Sequence, residues 1–264
     1  MGHQYQMKIV DALTFNKELD LLEDRFEYLY NHVDHFLVVE SNYTHTGKEK
    51  PLYFEENASR FAKYADKILP CRLIVDKNYD FTDSWKLENH QRNFISLCLD
   101  SFDANDIIMV SDADEIPDRS QFNNLRELMK THDIVRFNQK MFYYNLSTRL
   151  TSFPTWGASY AAKKHYLNAK TANGLRMDHR EETDGTINAG WHLTYFMTPE
   201  QIKNKLESFA HNIYNTDYYK DLDRLQNCID ERRDLFDRED HEFEEVDPDT
   251  YFPEEFIRVF NKWK

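Results

Sequence analysis

Apolar residues along the first half of the chain recur in two alternating rhythms. Short runs in which nearly every position is apolar, KIVDALT (8–14), FLVVE (36–40), CRLIVD (71–76) and DIIMV (106–110), predict buried strands. Between them, apolar positions spaced three and four apart predict helices. Residues 17–31 carry Leu19, Leu22, Phe26 and Leu29 in that spacing, and helices are also expected over 57–67, 84–101 and 120–131. Trp85, Leu87, Phe94, Leu97 and Leu99 are the candidate packing positions of the third of these. Strand and helix therefore alternate through the first 140 residues, which predicts an α/β fold whose mostly parallel sheet is covered on both faces.

The rhythm then loosens. DIVRFN and KMFYYNL (133–146) predict strands in a hairpin, and the polar stretch 148–189, with Pro154, Trp156 and Gly157, predicts loop. AGWHLTYF (189–196) reads as a strand, 199–210 and 217–236 as helices, acidic 237–249 as a solvated loop and 253–263 as a closing helix. No internal repeat or low-complexity linker divides the 264 residues, so a single domain over 1–264 is expected.

One stretch breaks the pattern. DIIMVSDADEIP (106–117) runs four apolar residues into Asp112, Asp114 and Glu115. Carboxylates this close stay ionised together only when water or a cation compensates them. Sheets of the expected kind bind ligands beyond the carboxyl ends of their strands, where this cluster falls. Asp-x-Asp also occurs at Asp221/Asp223 and Asp247/Asp249, but the first of these lies in a charged helix and the second in an acidic loop beside Pro248, so both read as surface. The cluster at 112–115 reads either as a solvated turn or as a site for Mg²⁺ or Mn²⁺, which favour hard oxygen ligands and would in turn hold a diphosphate.

The formal net charge of −14 disfavours nucleic acid as a partner, because phosphate backbones need basic surface. No run of 18 apolar residues predicts a membrane span. Cys71, Cys98 and Cys228 are odd in number and far apart, with no zinc spacing, and read as reduced thiols of a cytoplasmic protein. The opening MGHQYQMKIV has no apolar stretch of signal-peptide type, and Met7 is an alternative start. The sequons at Asn42, Asn57 and Asn145 therefore read as chance.

Two enzyme classes place Asp-x-Asp after a buried strand. Phosphatases of the haloacid-dehalogenase type share only that motif, and theirs normally sits on the first strand; here it follows about the fourth. Nucleotide-sugar glycosyltransferases of the GT-A fold carry it mid-chain, after a nucleotide-binding half, as this chain does. The match extends beyond the motif. FNKELDLLEDRF (15–26), VDHFLVVESNYTHTGKEKPLYF (33–54), DSWKLENHQRNF (83–94), SDADEIP (111–117) and AGWHLTYFMTPEQIKNKL (189–206) together resemble glycosyltransferase family 17, the β-1,4-mannosyl-glycoprotein N-acetylglucosaminyltransferase family. The resemblance covers the first 206 residues and weakens over 140–185, where an acceptor would be chosen.

This resemblance implies a GT-A domain with a nucleotide-sugar-binding half at about 8–140, an acceptor-side half at about 141–212 and a C-terminal helical segment at about 213–264. It implies a UDP-sugar donor, by analogy UDP-GlcNAc, a glycan or glycoconjugate acceptor, a bound Mn²⁺ or Mg²⁺, and inversion by single displacement. Asp114 is the expected first metal ligand, Asp112 a ribose or metal contact, and His192 a late metal ligand, with a hydrogen-bonded core histidine as its alternative. Glu115 would orient the site or simply start a helix, and Gly190 would allow close backbone approach. Glu40, Ser41 and Asn42 would receive the nucleoside, or else form an ordinary strand exit. Arg92 could reach the diphosphate, and Trp85 could stack on the base or anchor its helix. The general base is sought among Glu181, Glu182 and Asp184, with Arg176 and Arg180 holding diphosphate or balancing these acids. Trp156 and Tyr144 are candidate acceptor-sugar platforms or core residues, and His211 reads as a helix cap. A non-catalytic sugar- or nucleotide-binding module of the same fold is the remaining alternative.

Overall fold

β1 (Ile9–Phe15) is buried on both faces, as its nearly continuous apolar run requires, and it runs through the interior of a sheet. The computed structural model describes residues 6–178, 185–208 and 212–264. β2 (His35–Ser41) and β4 (Ile107–Asp112) flank β1 in parallel, and β3 (Ile68–Leu73) pairs with β2 in parallel, in the order 3-2-1-4. Side chains of β1 alternate between two cores. Ile9 and Leu13 pack on one side with Leu22 and Phe26 of α1 (Leu19–Leu29), while Val10 and Ala12 pack on the other with Ile95 and Leu99. Where a helix was expected over 57–67, a short α2 (Tyr53–Glu56) precedes a 3₁₀ turn at 58–64. α3 (Ser84–Phe94) continues as a 3₁₀ turn through Cys98 rather than as α-helix to residue 101.

The sheet continues beyond β4 with a change of direction. After the short β5 (Glu115–Ile116) and α4 (Phe122–Leu128), β6 (Ile134–Tyr143) forms one unbroken ten-residue strand, not a hairpin, because no turn interrupts its largely buried run. The stretch expected as loop folds into β7 (Thr148–Leu150), β8 (Thr155–Trp156), β9 (Tyr160–Lys163), α5 (Lys164–Lys170) and α6 (Ala172–Met177). β9 lies antiparallel between β4 and β6. Its sequence, YAAK, is too short and too rich in alanine to carry a strand rhythm. β10 (Thr186–Thr194) runs parallel to β6, followed by α7 (Pro199–Ser208) and α8 (Leu222–Asp230). In the acidic stretch, β11 (Phe243–Glu245) pairs with β7 before α9 (Pro248–Tyr251) and α10 (Glu254–Val259) close the described chain with a final 3₁₀ turn. β3 begins and ends three residues earlier than its apolar run suggested, since its pairing with β2 sets the register and leaves Ile74 exposed. Among the described residues, no helix is long and apolar enough to cross a membrane.

β10 serves two neighbours. Its pairing with β6 shifts register between Asn188 and Trp191, and its far edge then pairs antiparallel with β5, placing His192 opposite Glu115. Gly190 lies in this bulge at φ +115°, with the Ile116 carbonyl so close that any side chain would collide with it. Trp191 packs at 4.4 Å between ring centroids on Phe256 of α10, so the C-terminal helix braces the strand from behind. Gly190→Ala should therefore lower unfolding stability by more than about 1 kcal/mol and disturb the β5–β10 pairing, a change that urea unfolding and amide exchange at Leu193 would report.

Candidate active site

Arg25 and Asp11, both fully buried, organise the turn after β4. Asp11 interrupts the apolar β1, and Arg25 falls three residues after Leu22 on the buried face of α1. The guanidinium grips Asp11 through two hydrogen bonds of 2.8 and 2.6 Å. It also donates to Ser111 Oγ at 2.6 Å and to the carbonyls of Asp112, Ala113 and Glu115. All five guanidinium N–H groups are thereby used, and the backbone of the acidic turn is held at the C-terminal end of β4.

The three carboxylates of that turn take three different environments. Glu115 is fully buried and accepts from Arg176 twice (2.7 and 2.9 Å), from Trp156 Nε1 (2.6 Å), from Ser159 and from the Asp112 N–H (2.8 Å). Burial alone would favour its neutral form, but the Arg176 guanidinium outweighs this and holds its pKa far below the ordinary carboxylate range. Asp112 accepts from Arg176 (2.7 Å) on one oxygen and from Arg92 and Thr14 (each 3.1 Å) on the other. Burial opposes its charge too, and Arg176 and Arg92 again lower its pKa on balance. Asp114 faces a different pair: Lys205 Nζ lies 3.3 Å from one oxygen and His192 Nε2 3.6 Å from the other. Burial disfavours the ionised Asp114, yet Lys205 and His192 bring its pKa well below normal. Reciprocally, burial works against the charged His192 and Lys205, and Asp114 raises the pKa of both above their usual values.

Asp112, Asp114, Arg92, Arg176, His192 and Lys205 line a cavity of about 580 Å³ at the strand ends, and Glu115 lies buried behind them. Trp85, at the start of α3, stands half-exposed on its lining, and Trp156 lies 5.2 Å from the His192 ring. Four cationic side chains, Arg92, Arg176, Lys205 and Lys50, and four carboxylates, Glu18, Glu88, Asp112 and Asp114, line this one concave cavity.

The structure thus brings together Asp112, Asp114, Glu115, His192, Arg92, Arg176, Trp85 and Trp156. It does not bring Glu40, Ser41 or Asn42 to the cavity. Glu40 is a buried clip that accepts from Lys50 Nζ (2.9 Å) and from the N–H groups of Tyr53 and Phe54. Asn42 clasps both backbone polar groups of Val75, and Ser41 accepts from the Tyr43 N–H. The trio holds the 43–50 loop, and it is Tyr43, Thr44, His45 and Lys50 of that loop that line the cavity. Tyr144 is also displaced from its expected role: it sits at φ 67° in a separate apolar cluster, donating to the Arg233 carbonyl. Asp112, expected against a metal, has both oxygens committed to guanidiniums and Thr14. Among the described residues, no three His, Cys, Asp or Glu side chains converge as a metal cluster. Arg180, Glu181, Glu182, Asp184 and His211 lie outside the described residues. Asp11, Arg25 and Lys205 carry roles that the sequence reading passed over; a charge inside an apolar strand and another on an apolar helix face were the available signals for the first two.

A family profile described as glycosyltransferase family 17 matches residues 2–249. The chain belongs to this family. The β-1,4-mannosyl-glycoprotein 4-β-N-acetylglucosaminyltransferases of Rattus norvegicus and Homo sapiens are each 25% identical to it, over 97% of this chain and 54% of their own lengths. The chain therefore spans about half the length of these curated relatives. Among solved structures, Staphylococcus aureus TarS 1–349 is similar at a TM-score of 0.40 and 12% identity, over 83% of this chain and 69% of that one. Glucosyl-3-phosphoglycerate synthase from Mycobacterium tuberculosis, in complex with Mn²⁺, UDP and phosphoglyceric acid, is similar at a TM-score of 0.37 and 14% identity, over 71% of this chain and 69% of that one. Membership of family 17 sets aside the reading as a dehalogenase-type phosphatase, and the architecture is α/β.

The buried Arg25–Asp11 pair yields a test that separates stability from site order. Arg25→Met leaves Asp11 charged and unpaired and should cost about 3–5 kcal/mol in urea unfolding. Adding Asp11→Leu should restore much of that stability, while the turn at 112–115, still without its guanidinium, should keep elevated amide exchange.

Proposed function

We propose that this glycosyltransferase is an inverting, divalent-metal-dependent enzyme that moves N-acetylglucosamine from UDP-N-acetylglucosamine to a glycan hydroxyl. The observation that carries the reading is the meeting of Asp114 and His192 with Arg92 and Arg176 in one cavity at the end of β4. The names of the curated relatives support the choice of sugar, and membership of family 17 supports the class of reaction.

The residues present fit a metal. Asp114 and His192 approach within 3.6 Å and both line the cavity, and His192 Nδ1 is buried without a hydrogen-bond partner among the described residues. One carboxylate oxygen and one imidazole nitrogen suit Mn²⁺ or Mg²⁺, which commonly complete their coordination with substrate phosphates and water. A bound cation would neutralise charge on the departing diphosphate.

The chain's own groups supply the rest. Arg92 and Arg176, held by Asp112 and Glu115, place positive charge on the cavity lining where a diphosphate would sit. Trp85 offers a face for the nucleobase and Trp156 a platform for a sugar. The acceptor hydroxyl oxygen attacks the anomeric carbon, its proton passes to a carboxylate, and the bond to the diphosphate breaks with the electron pair leaving on UDP. Glu181, Glu182 and Asp184 were the expected bases. Direct nucleophilic chemistry by Asp112 is disfavoured, since its oxygens are held by Thr14 and two arginines.

Thermal unfolding with nucleotide sugars tests this reading. UDP-N-acetylglucosamine at 100 times its Kd, with Mn²⁺, should add about 2.7 kcal/mol and raise the midpoint by about 5–10 °C. EDTA or Asp114→Ala should abolish the shift. A metal-dependent shift with a different nucleotide sugar would overturn the N-acetylglucosamine assignment, and no shift with any of them would overturn the donor site.

The raised pKa of His192 gives a second test. In the metal-free protein its protonated form is stabilised by Asp114, a contribution fully present below the unfolded value near 6.5 and lost as pH rises through the folded value. A metal requires the neutral ring. Mn²⁺ affinity should therefore rise with pH across the folded pKa, with proton release in calorimetry that His192→Asn removes.

A further inference from the structure

A second cavity, of about 250 Å³, adjoins the first. Asn16, Glu18 and Lys205 line both, so these three side chains form a shared wall. The second cavity lies between the start of α1, the end of β10, α7 and the last 3₁₀ turn, and nothing in the donor chemistry above uses it.

Its lining has the character of a sugar site. The rings of Phe196 and Trp263, 5.8 Å apart at 55°, give it apolar surface. Asp20, Gln201, Asn204 and Ser208 bring carboxylate, amide and hydroxyl groups beside those rings. Asn16 Oδ1 is shielded from solvent yet has no hydrogen-bond partner among the described residues, although its amide nitrogen donates to Ser208 Oγ at 3.3 Å. A shielded acceptor without a donor is destabilising unless a ligand or water supplies one. The volume falls below the roughly 300–1,000 Å³ of cavities for drug-sized ligands, and suits one sugar ring, whose C–H faces pack on aromatic rings while its hydroxyls meet polar groups.

The shared wall gives this place a catalytic meaning. Lys205 lies 3.3 Å from Asp114 and 3.6 Å from Glu18, so one ammonium links the proposed metal ligand to a carboxylate facing both cavities. We propose that the second cavity is the acceptor subsite, taking a single pyranose residue of the glycan, and that Glu18 receives the proton of its attacking hydroxyl. The inference rests on the transfer reaction proposed above. The hydroxyl oxygen bonds to the anomeric carbon, its proton moves to the Glu18 carboxylate, and the bond from that carbon to the diphosphate oxygen breaks, releasing UDP. Lys205 then counters whichever of Glu18 and Asp114 is the more exposed in charge.

Saturation-transfer NMR with the methyl glycosides of mannose, glucose, galactose and N-acetylglucosamine, in the presence of UDP and Mn²⁺, tests the subsite directly. Asn204 is exposed on α7 with its side chain toward the cavity, so Asn204→Trp fills the space without burdening the fold. At least one glycoside should bind the wild-type protein, and Asn204→Trp should weaken it at least tenfold while leaving the UDP-N-acetylglucosamine thermal shift intact. Glu18→Gln should keep glycoside binding and lower transfer by about 10²–10⁴-fold. Unchanged glycoside binding in Asn204→Trp, no binding of any glycoside to the wild type, or unimpaired transfer by Glu18→Gln would each overturn the proposal. Loss of the donor thermal shift in the wild type would instead overturn the donor reading, so the two failures are distinguishable.

Discussion

The site depends on one buried guanidinium. Arg25 spends two of its bonds on Asp11 and the remainder on Ser111 and three carbonyls of the acidic turn. A charge with no exposure needs a partner and full hydrogen bonding, or the desolvation penalty dominates. Asp11 satisfies the charge, and the turn satisfies the geometry. The turn in turn gains fixed partners for carbonyls that would otherwise leave the sheet unpaired. A helix facing the core and the strand carrying the acids are thereby locked together at the point where the ligand cavity opens.

Beyond that lock, the three acids are sorted by their counter-charges. Glu115 and Asp112 share Arg176, which orients the guanidinium toward the cavity, whereas Asp114, among the described residues, meets Lys205 and His192. The result is a division of labour within four residues: two carboxylates hold arginines in place and the third pairs with a lysine and a histidine. Like charges so close are tolerated because arginine, lysine and histidine side chains compensate them, not because solvent screens them. The second cavity extends this arrangement, since Lys205 carries the charge network across to Glu18.

β10 supplies the other half of the geometry. Its bulge at Gly190 turns a strand that belongs to β6 toward β5, and His192 arrives opposite Glu115 as a consequence. The aromatic stack of Trp191 on Phe256 and Phe252 holds that strand against the core. Residues more than seventy positions apart in sequence meet here because two different pairings share one strand.

The sequence by itself determined the alternating strands and helices of the first half, the exit of β4 into the acid cluster, and membership of family 17, because periodic burial and local charge are written in contiguous residues. It also singled out Asp114, His192, Arg92 and Trp156, which the fold brings to one cavity. Of the alternatives it left for Glu40 and Tyr144, the strand exit and the core residue are what the fold shows, with partners Lys50 and Arg233, and it passed over Arg25 and Lys205, whose partners come from elsewhere in the chain. The strands β9 and β11 escaped notice because short segments owe their conformation to their neighbours in the sheet rather than to their own rhythm. Only the tertiary structure decided which counter-charge each acid receives, since an ion pair is set by three-dimensional proximity and burial, and neither is a property of a local run of residues.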